Sequence, residues 1–271
     1  MAFIQCSFYS EAIGLSHSMN VILPQRTQTQ VGIKGVVGEG NFPTLYLLHG
    51  LTDDHSIWSR RTSIERYVAE MGLAVVMPSV HRSFYTDMDN GSQYWAFISE
   101  ELPAIARFFF PLSDQREDNY VAGLSMGGYG ALKLAFNRPE CFCAAASLSG
   151  VVELDDWLDF KKSHPDRPTL EFEKLFGPKG SPLRQFGDLS AASWRLVESG
   201  QPRPALYQIC GQKDFLYAQN LRFRDHLRQI GYEARYEDDP GYGHTWDYWD
   251  LTIQRVLKWI KDMRLESSDN M

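Results

Sequence analysis

Short unbroken apolar runs recur along the chain with helical patterns between them, and this alternation leaves few folds open. Thr44 to Leu48 (Thr-Leu-Tyr-Leu-Leu), Leu73 to Met77 (Leu-Ala-Val-Val-Met), Tyr120 to Leu124, Ala144 to Leu148, Ala205 to Cys210 and Glu233 to Glu237 read as strands. Phe3 to Tyr9 and Met19 to Leu23 read as strands leading in. Helical patterns occupy Ile64 to Met71, Tyr94 to Phe110, Gly127 to Phe136, Ala218 to Ile230 and Trp246 to Met263. A strand that is apolar on both faces needs cover on both faces. The alternation therefore predicts an α/β fold with a mostly parallel sheet flanked by helices. Pro103 should kink or split the helix around it. Gly35 to Gly40 reads as a flexible connection, and the tail Glu266 to Met271 as frayed.

One stretch departs from the rhythm. Val151 to Pro204 is rich in Trp, Phe, Asp and Pro, and Pro165, Pro168, Pro178 and Pro182 break its short helical pieces. It reads as a cap-like insertion at about 151–204 within a single domain spanning 1–271. Sites in open α/β sheets lie at the carboxyl ends of the strands, so this insertion is expected to roof the pocket.

Composition limits the partners. Of 271 residues, 44% are hydrophobic and 23% charged, enough for a large core without staples. Lys plus Arg number 27 against 34 Asp plus Glu, a net charge of −7 that argues against nucleic acid or an anionic membrane surface as partner. No apolar run approaches the roughly 20 residues that span a bilayer. Cys6, Cys141, Cys143 and Cys210 are too few and too scattered for a disulfide framework. Cys141-Phe-Cys143 lacks the spacing of a zinc knuckle, so reduced cysteines and no metal are expected. The opening Met-Ala-Phe-Ile-Gln-Cys has no basic region followed by an apolar stretch, so a cytoplasmic location is expected.

The chemistry concentrates at Gly123-Leu124-Ser125-Met126-Gly127, a Gly-x-Ser-x-Gly pattern entered by a strand and left by a helix. Such a tight strand-to-helix turn presents a serine hydroxyl as a nucleophile. The glycines are needed because a Cβ would collide across the turn. The helix N-terminus aims free N–H groups at charge developing beside Ser125. Serine needs a base, and the base needs an orienting acid. With the chain order serine, acid, histidine, only His164, His226 and His244 can serve as base. His226 falls inside a helical pattern, and His164 lies among Lys161, Lys162 and Asp166. His244 follows a strand, sits in the loop Pro240-Gly241-Tyr242-Gly243, and precedes an amphipathic helix, which is the place for the base. Asp214, in the turn after Ala205 to Cys210, is placed to accept from its imidazole, with Asp238 and Asp239 as rivals. The oxyanion needs backbone donors. Met126 N–H follows the nucleophile, and Leu51 N–H lies in the loop after Leu48, with His49 read as a brace for that loop.

In order along the chain stand Leu47-Leu48-His49-Gly50-Leu51, Trp58, Phe84-Tyr85-Thr86-Asp87 and Glu101-Leu102-Pro103. Ala122 to Gly130, Cys210-Gly-Gln-Lys-Asp-Phe-Leu216 and Gly243-His-Thr-Trp-Asp-Tyr-Trp249 follow. Together they resemble the esterase D branch of the α/β-hydrolases, and most of all its tributyrin esterase, or short-acyl acetyl esterase, group. The resemblance implies the α/β-hydrolase fold, a Ser125–Asp214–His244 triad, and oxyanion donors at Leu51 and Met126. It further implies a cofactor-independent serine carboxylesterase for small acetyl to butyryl esters. Relatives of this kind commonly form dimers or tetramers, so a homodimer or homotetramer is the assembly to test. S-formylglutathione hydrolases share the ancestry with an oxyanion loop resembling Gly-Leu-Thr-Cys. Here Gly50-Leu-Thr is followed by Asp53-Asp54, which makes thioester hydrolysis the alternative. A non-catalytic scaffold would lack a triad member, and all three positions are filled. Tyr85 and Trp157 are expected to line the substrate pocket, with Phe160, Phe172 and Phe176 forming an apolar wall in the insertion.

Overall fold

A computed structural model describes residues 1–88, 91–156 and 175–269. Eight strands form one sheet: β1 (Ala2–Ser10), β2 (Leu15–Leu23), β3 (Thr44–Leu48), β4 (Ala74–Pro78), β5 (Asn119–Leu124), β6 (Ala144–Leu148), β7 (Ala205–Gly211) and β8 (Ala234–Asp239). Their order is β1-β2-β4-β3-β5-β6-β7-β8. β2 pairs antiparallel with both β1 and β4, and every other pairing is parallel. β2 therefore runs alone against the rest. The expected mostly parallel sheet flanked by helices is the one observed, an α/β-hydrolase fold.

Side chains alternate across each strand, and the two faces fill separately. Tyr46, Leu48, Val76, Val121 and Ala145 enter one core, which the helices Leu102–Phe109, Met126–Asn137, Leu189–Ser199 and Tyr217–Gln229 cover. Leu45, Leu47, Val75, Met77, Ala122 and Leu124 enter the other, under the helices Ile57–Arg61, Ile64–Val68 and Trp246–Asp269. β3 to β6 are buried along their whole length, which is why they read as continuous apolar runs. β8 (Ala-Arg-Tyr-Glu-Asp-Asp) is only half-buried and charged, as an edge strand must be to resist pairing with another chain.

β4 lies on one side of β3 and β5 on the other, so the strand order reverses between β3 and β5. Chains leaving the two strands diverge there and open a crevice at their carboxyl ends. The loop at His49 to Leu51 and the turn at Ser125 both leave into that crevice.

Some boundaries differ from the sequence reading. β2 begins at Leu15, because Ser16, His17 and Ser18 pair with Tyr9, Phe8 and Ser7 despite their polarity. The pattern from Tyr94 to Phe110 is split before Pro103 by a π-helical turn, Phe97–Glu101, with the α-helix resuming at Leu102. The last helix runs to Asp269 rather than fraying at Glu266, since no Gly or Pro follows Gly243 to stop it. No helix among the described residues is long and apolar enough to cross a membrane.

The described parts of the insertion are anchored to the helix layer. Gln219 Oε1 accepts from the N–H groups of Val152 and Glu153 at 2.7 and 3.0 Å. Asp188 caps the helix Leu189–Ser199 by accepting from Ser190 and Ala191 N–H, and Gly200 ends it at φ 68°. Gly187 C=O accepts from the Tyr129 hydroxyl at 2.8 Å. Trp157, Phe160, His164 and Phe172 lie outside the described residues.

Candidate active site

Ser125 sits between β5 and the helix Met126–Asn137 at φ 53°, ψ −116°, a strained conformation for a non-glycine residue. Local hydrogen bonds hold it there. Its N–H donates to Leu148 C=O at 2.9 Å, and its C=O accepts from Tyr129 N–H at 3.1 Å and Val151 N–H at 3.2 Å. The flanking glycines are sterically required. A Cβ on Gly123 would stand 2.4 Å from Gly127 C and O, and one on Gly127 would stand 2.5 Å from Leu48 O.

The three residues drawn from distant loops meet. His244 Nε2 lies 3.0 Å from Ser125 Oγ, and His244 Nδ1 lies 2.9 Å from Asp214 Oδ2. The Asp214 side chain is fully buried, and its Oδ1 accepts from Leu216 N–H at 2.9 Å. The acid and base loops are tied to each other: Lys213 N–H donates to Tyr242 C=O at 2.9 Å. Gly211 permits that approach, since a Cβ there would meet Tyr242 O at 2.4 Å. The imidazole is packed between Phe215 and the edge of Trp249, at centroid distances of 4.6 and 4.8 Å.

The rival acids are engaged elsewhere. Asp238 accepts from Gln212 Nε2 and Tyr217 Oη, and Asp239 from Tyr248 Oη and Arg255. His226 Nε2 lies 3.1 Å from both Ser193 Oγ and Ser190 O, on the flank of the insertion helix.

The loop after β3 lies against the nucleophile: a Cβ on Gly50 would be 3.8 Å from Ser125 Cβ. His49 shapes that loop. Its Nε2 accepts from Val80 N–H at 2.9 Å, which leaves the proton on Nδ1 to donate to Gly50 C=O at 2.7 Å. Asp53 N–H also reaches Gly50 C=O, at 3.2 Å. In a planar trans peptide the N–H points away from the C=O, so holding the Gly50 carbonyl aims the Leu51 N–H the other way. The bracing role read for His49 is the one its contacts describe.

Burial pushes the His49 imidazole down to about 4. Its ordinary value is near 6.5, so as pH falls from about 6.5 to about 4 the unfolded chain takes up a proton that the folded chain refuses. This group's contribution to stability is intact above about pH 6.5 and falls by up to about 3 kcal/mol as the pH drops to about 4. We expect wild-type Tm to fall more steeply between pH 7 and pH 5 than that of His49→Gln. Parallel slopes would contradict the buried neutral assignment.

Tyr85 departs from its expected place. It is fully buried, and its hydroxyl donates to His49 C=O at 2.9 Å, so it props the loop rather than lining a pocket. Phe176 is likewise fully buried, packed against Phe84 and Tyr129. The contact with Tyr129 fastens the insertion to the helix layer.

Lys133 was not singled out from the sequence. It is fully buried, and its ammonium donates to Tyr85 C=O at 2.8 Å and Thr86 Oγ1 at 2.7 Å. Burial brings its amine down to about 7. A lysine flanked by Ala-Leu and Leu-Ala on a helix signals this placement weakly, and only the apolar stretch around it gives a hint.

Comparison with known proteins places the chain in a family. The Esterase family profile matches residues 10–260. An acetyl esterase of Caldicellulosiruptor saccharolyticus is 30% identical over 263 residues, 96% of this chain and 98% of that protein. The substrate-bound structure of fluorophosphonate-binding serine hydrolase F of Staphylococcus aureus superposes with a TM-score of 0.83 at 35% identity, covering 96% of this chain and 98% of that one. An S-formylglutathione hydrolase of the same organism gives a TM-score of 0.82 at 36% identity, with coverage of 96% and 98%. With a profile match across nearly its whole length, this chain belongs to the esterase family, serine hydrolases of carboxylic esters built on the α/β-hydrolase fold.

Proposed function

We propose that the chain hydrolyses short-chain acyl esters, acetyl to butyryl, through an acyl-enzyme on Ser125. The observation that carries this is the unbroken path from Ser125 Oγ through His244 to Asp214, at 3.0 and 2.9 Å. His244 Nε2 takes the hydroxyl proton as Oγ attacks the ester carbonyl carbon. The oxyanion is received by the N–H groups of Leu51 and Met126, and Asp214 holds the imidazolium. His244 then gives its proton to the departing alcohol. Water repeats the sequence on the acyl-enzyme and restores the free serine.

The short-acyl preference is supported by the acetyl esterase relative and by the limited access to Ser125, which is only 9% exposed. The segment 151–204 serves in this reading as a cap over the acyl side, within one domain spanning 1–271, and Trp157 is its candidate lining residue. Each methylene that fits adds about 0.8 kcal/mol of transfer energy. One that does not fit costs about 1–3 kcal/mol by overpacking. On p-nitrophenyl esters from C2 to C12, kcat/KM is expected to peak between acetyl and butyryl and then fall steeply. A steady rise to C8 or beyond would contradict the short-acyl assignment.

The similarity to an S-formylglutathione hydrolase supports thioester hydrolysis as the second reading. Against it stands Asp53, which follows Gly50-Leu-Thr where the loop of that group resembles Gly-Leu-Thr-Cys. Its carboxyl is half-buried beside Gly50, and burial raises it. Comparing kcat/KM on a short acyl ester and its thioester separates the two readings. Four free cysteines suit a reducing, cytoplasmic setting. A homodimer or homotetramer is the assembly proposed, and the exposed Phe108 and Phe109 are available apolar surface for it.

A further inference from the structure

The two proposed oxyanion donors belong to different elements. Met126 N–H opens the nucleophile helix, and Leu51 N–H lies in the loop after β3, so their separation must be set by something that touches both elements. Tyr85 does. Its hydroxyl donates to His49 C=O at 2.9 Å, in the loop. Its ring lies over Gly130 on the helix, where a Cβ would stand 2.5 Å from Cδ2, 2.7 Å from Cγ and 2.8 Å from Cε2. Its backbone C=O accepts from Lys133 Nζ on the same helix at 2.8 Å. Tyr85 itself sits at φ 52° and Phe84 at φ 51°, strained conformations that the surrounding contacts hold. A phenylalanine would fill the same space, so what the hydroxyl adds is a fixed distance between loop and helix.

We propose that Tyr85 is a positioning residue for the oxyanion hole, linking the donor loop at His49 to the nucleophile helix at Gly130 and Lys133. The proposal rests on Leu51 and Met126 being the donors. The hydroxyl never meets substrate. It acts by fixing the His49–Gly50 peptide, which adjoins the Gly50–Leu51 peptide that carries the donor, and so on charge that exists only in the tetrahedral state.

Tyr85→Phe tests this on the full chain with a p-nitrophenyl acetate assay and a trifluoromethyl ketone. The ketone adds to Ser125 as a hemiketal whose oxyanion needs both donors. The expected result is a fall in kcat of about ten- to a hundredfold with KM within about twofold, and a matching loss of ketone affinity. Gly130→Ala keeps the hydroxyl but crowds the ring, and it should give the same pattern if Tyr85→Phe does not fold. Unchanged kcat and ketone affinity would overturn the proposal. So would a loss confined to Tm and KM, the mark of a merely structural role. Ser125→Ala run alongside separates the levels: an active Ser125→Ala sinks the proposed function, whereas an inactive one beside a fully active Tyr85→Phe sinks only this inference.

Discussion

Ser125→Ala should lower kcat by at least about a thousandfold while leaving Tm and the far-ultraviolet spectrum unchanged. In the proposed mechanism the hydroxyl is the atom that bonds to the acyl carbon, and among the described residues it hydrogen-bonds to His244 Nε2. Removing it leaves the donors and the binding crevice but no nucleophile. The backbone of the turn is held by main-chain hydrogen bonds to Leu148, Tyr129 and Val151, so the strained φ survives the change. A variant that keeps more than a tenth of the wild-type rate would remove Ser125 from the chemistry.

Asp214→Asn should cost about three to four orders of magnitude in kcat in a folded protein. Asp214 Oδ1 accepts from Leu216 N–H, and Oδ2 accepts from His244 Nδ1. An asparagine keeps the first bond by presenting its carbonyl oxygen there, which turns its NH2 toward Nδ1. Nδ1 must then accept, the ring proton moves to Nε2, and Nε2 can no longer take the proton of Ser125. Asp238→Asn and Asp239→Asn should be far milder, because those carboxylates bind Gln212, Tyr217, Tyr248 and Arg255 rather than the imidazole. Either one proving more damaging than Asp214→Asn would move the acid to β8.

The meeting of Ser125, His244 and Asp214 was legible in the sequence because each of them sits where local chemistry marks it. Ser125 stands between glycines at a strand-to-helix switch, Asp214 in a turn after a buried strand, and His244 in a glycine-rich loop. The parallel sheet was legible for a related reason: strands covered on both faces leave no polar alternation. What escaped depends on packing between segments far apart in sequence. Tyr85 could be placed in a loop near the site, but whether it faces a pocket or the His49 carbonyl is decided by Gly130, 45 positions later. Lys133 carries a charge that composition assigns to the surface, and a loop 47 to 48 positions earlier, at Tyr85 and Thr86, supplies acceptors that let it be buried. The first half of β2 looks polar, yet His17 is buried with its Nε2 2.5 Å from Ser79 O, a partner 62 positions away.

The most direct test is mass-spectrometric mapping after treatment with an organophosphonate. The expected result is a single adduct on the peptide carrying Ser125, with activity lost in proportion to labelling and no adduct in Ser125→Ala. The neighbouring Ser147 and Ser149 are fully buried and should stay unlabelled. Complete inhibition with Ser125 unmodified, or an adduct on another residue, would contradict a serine esterase that works through Ser125.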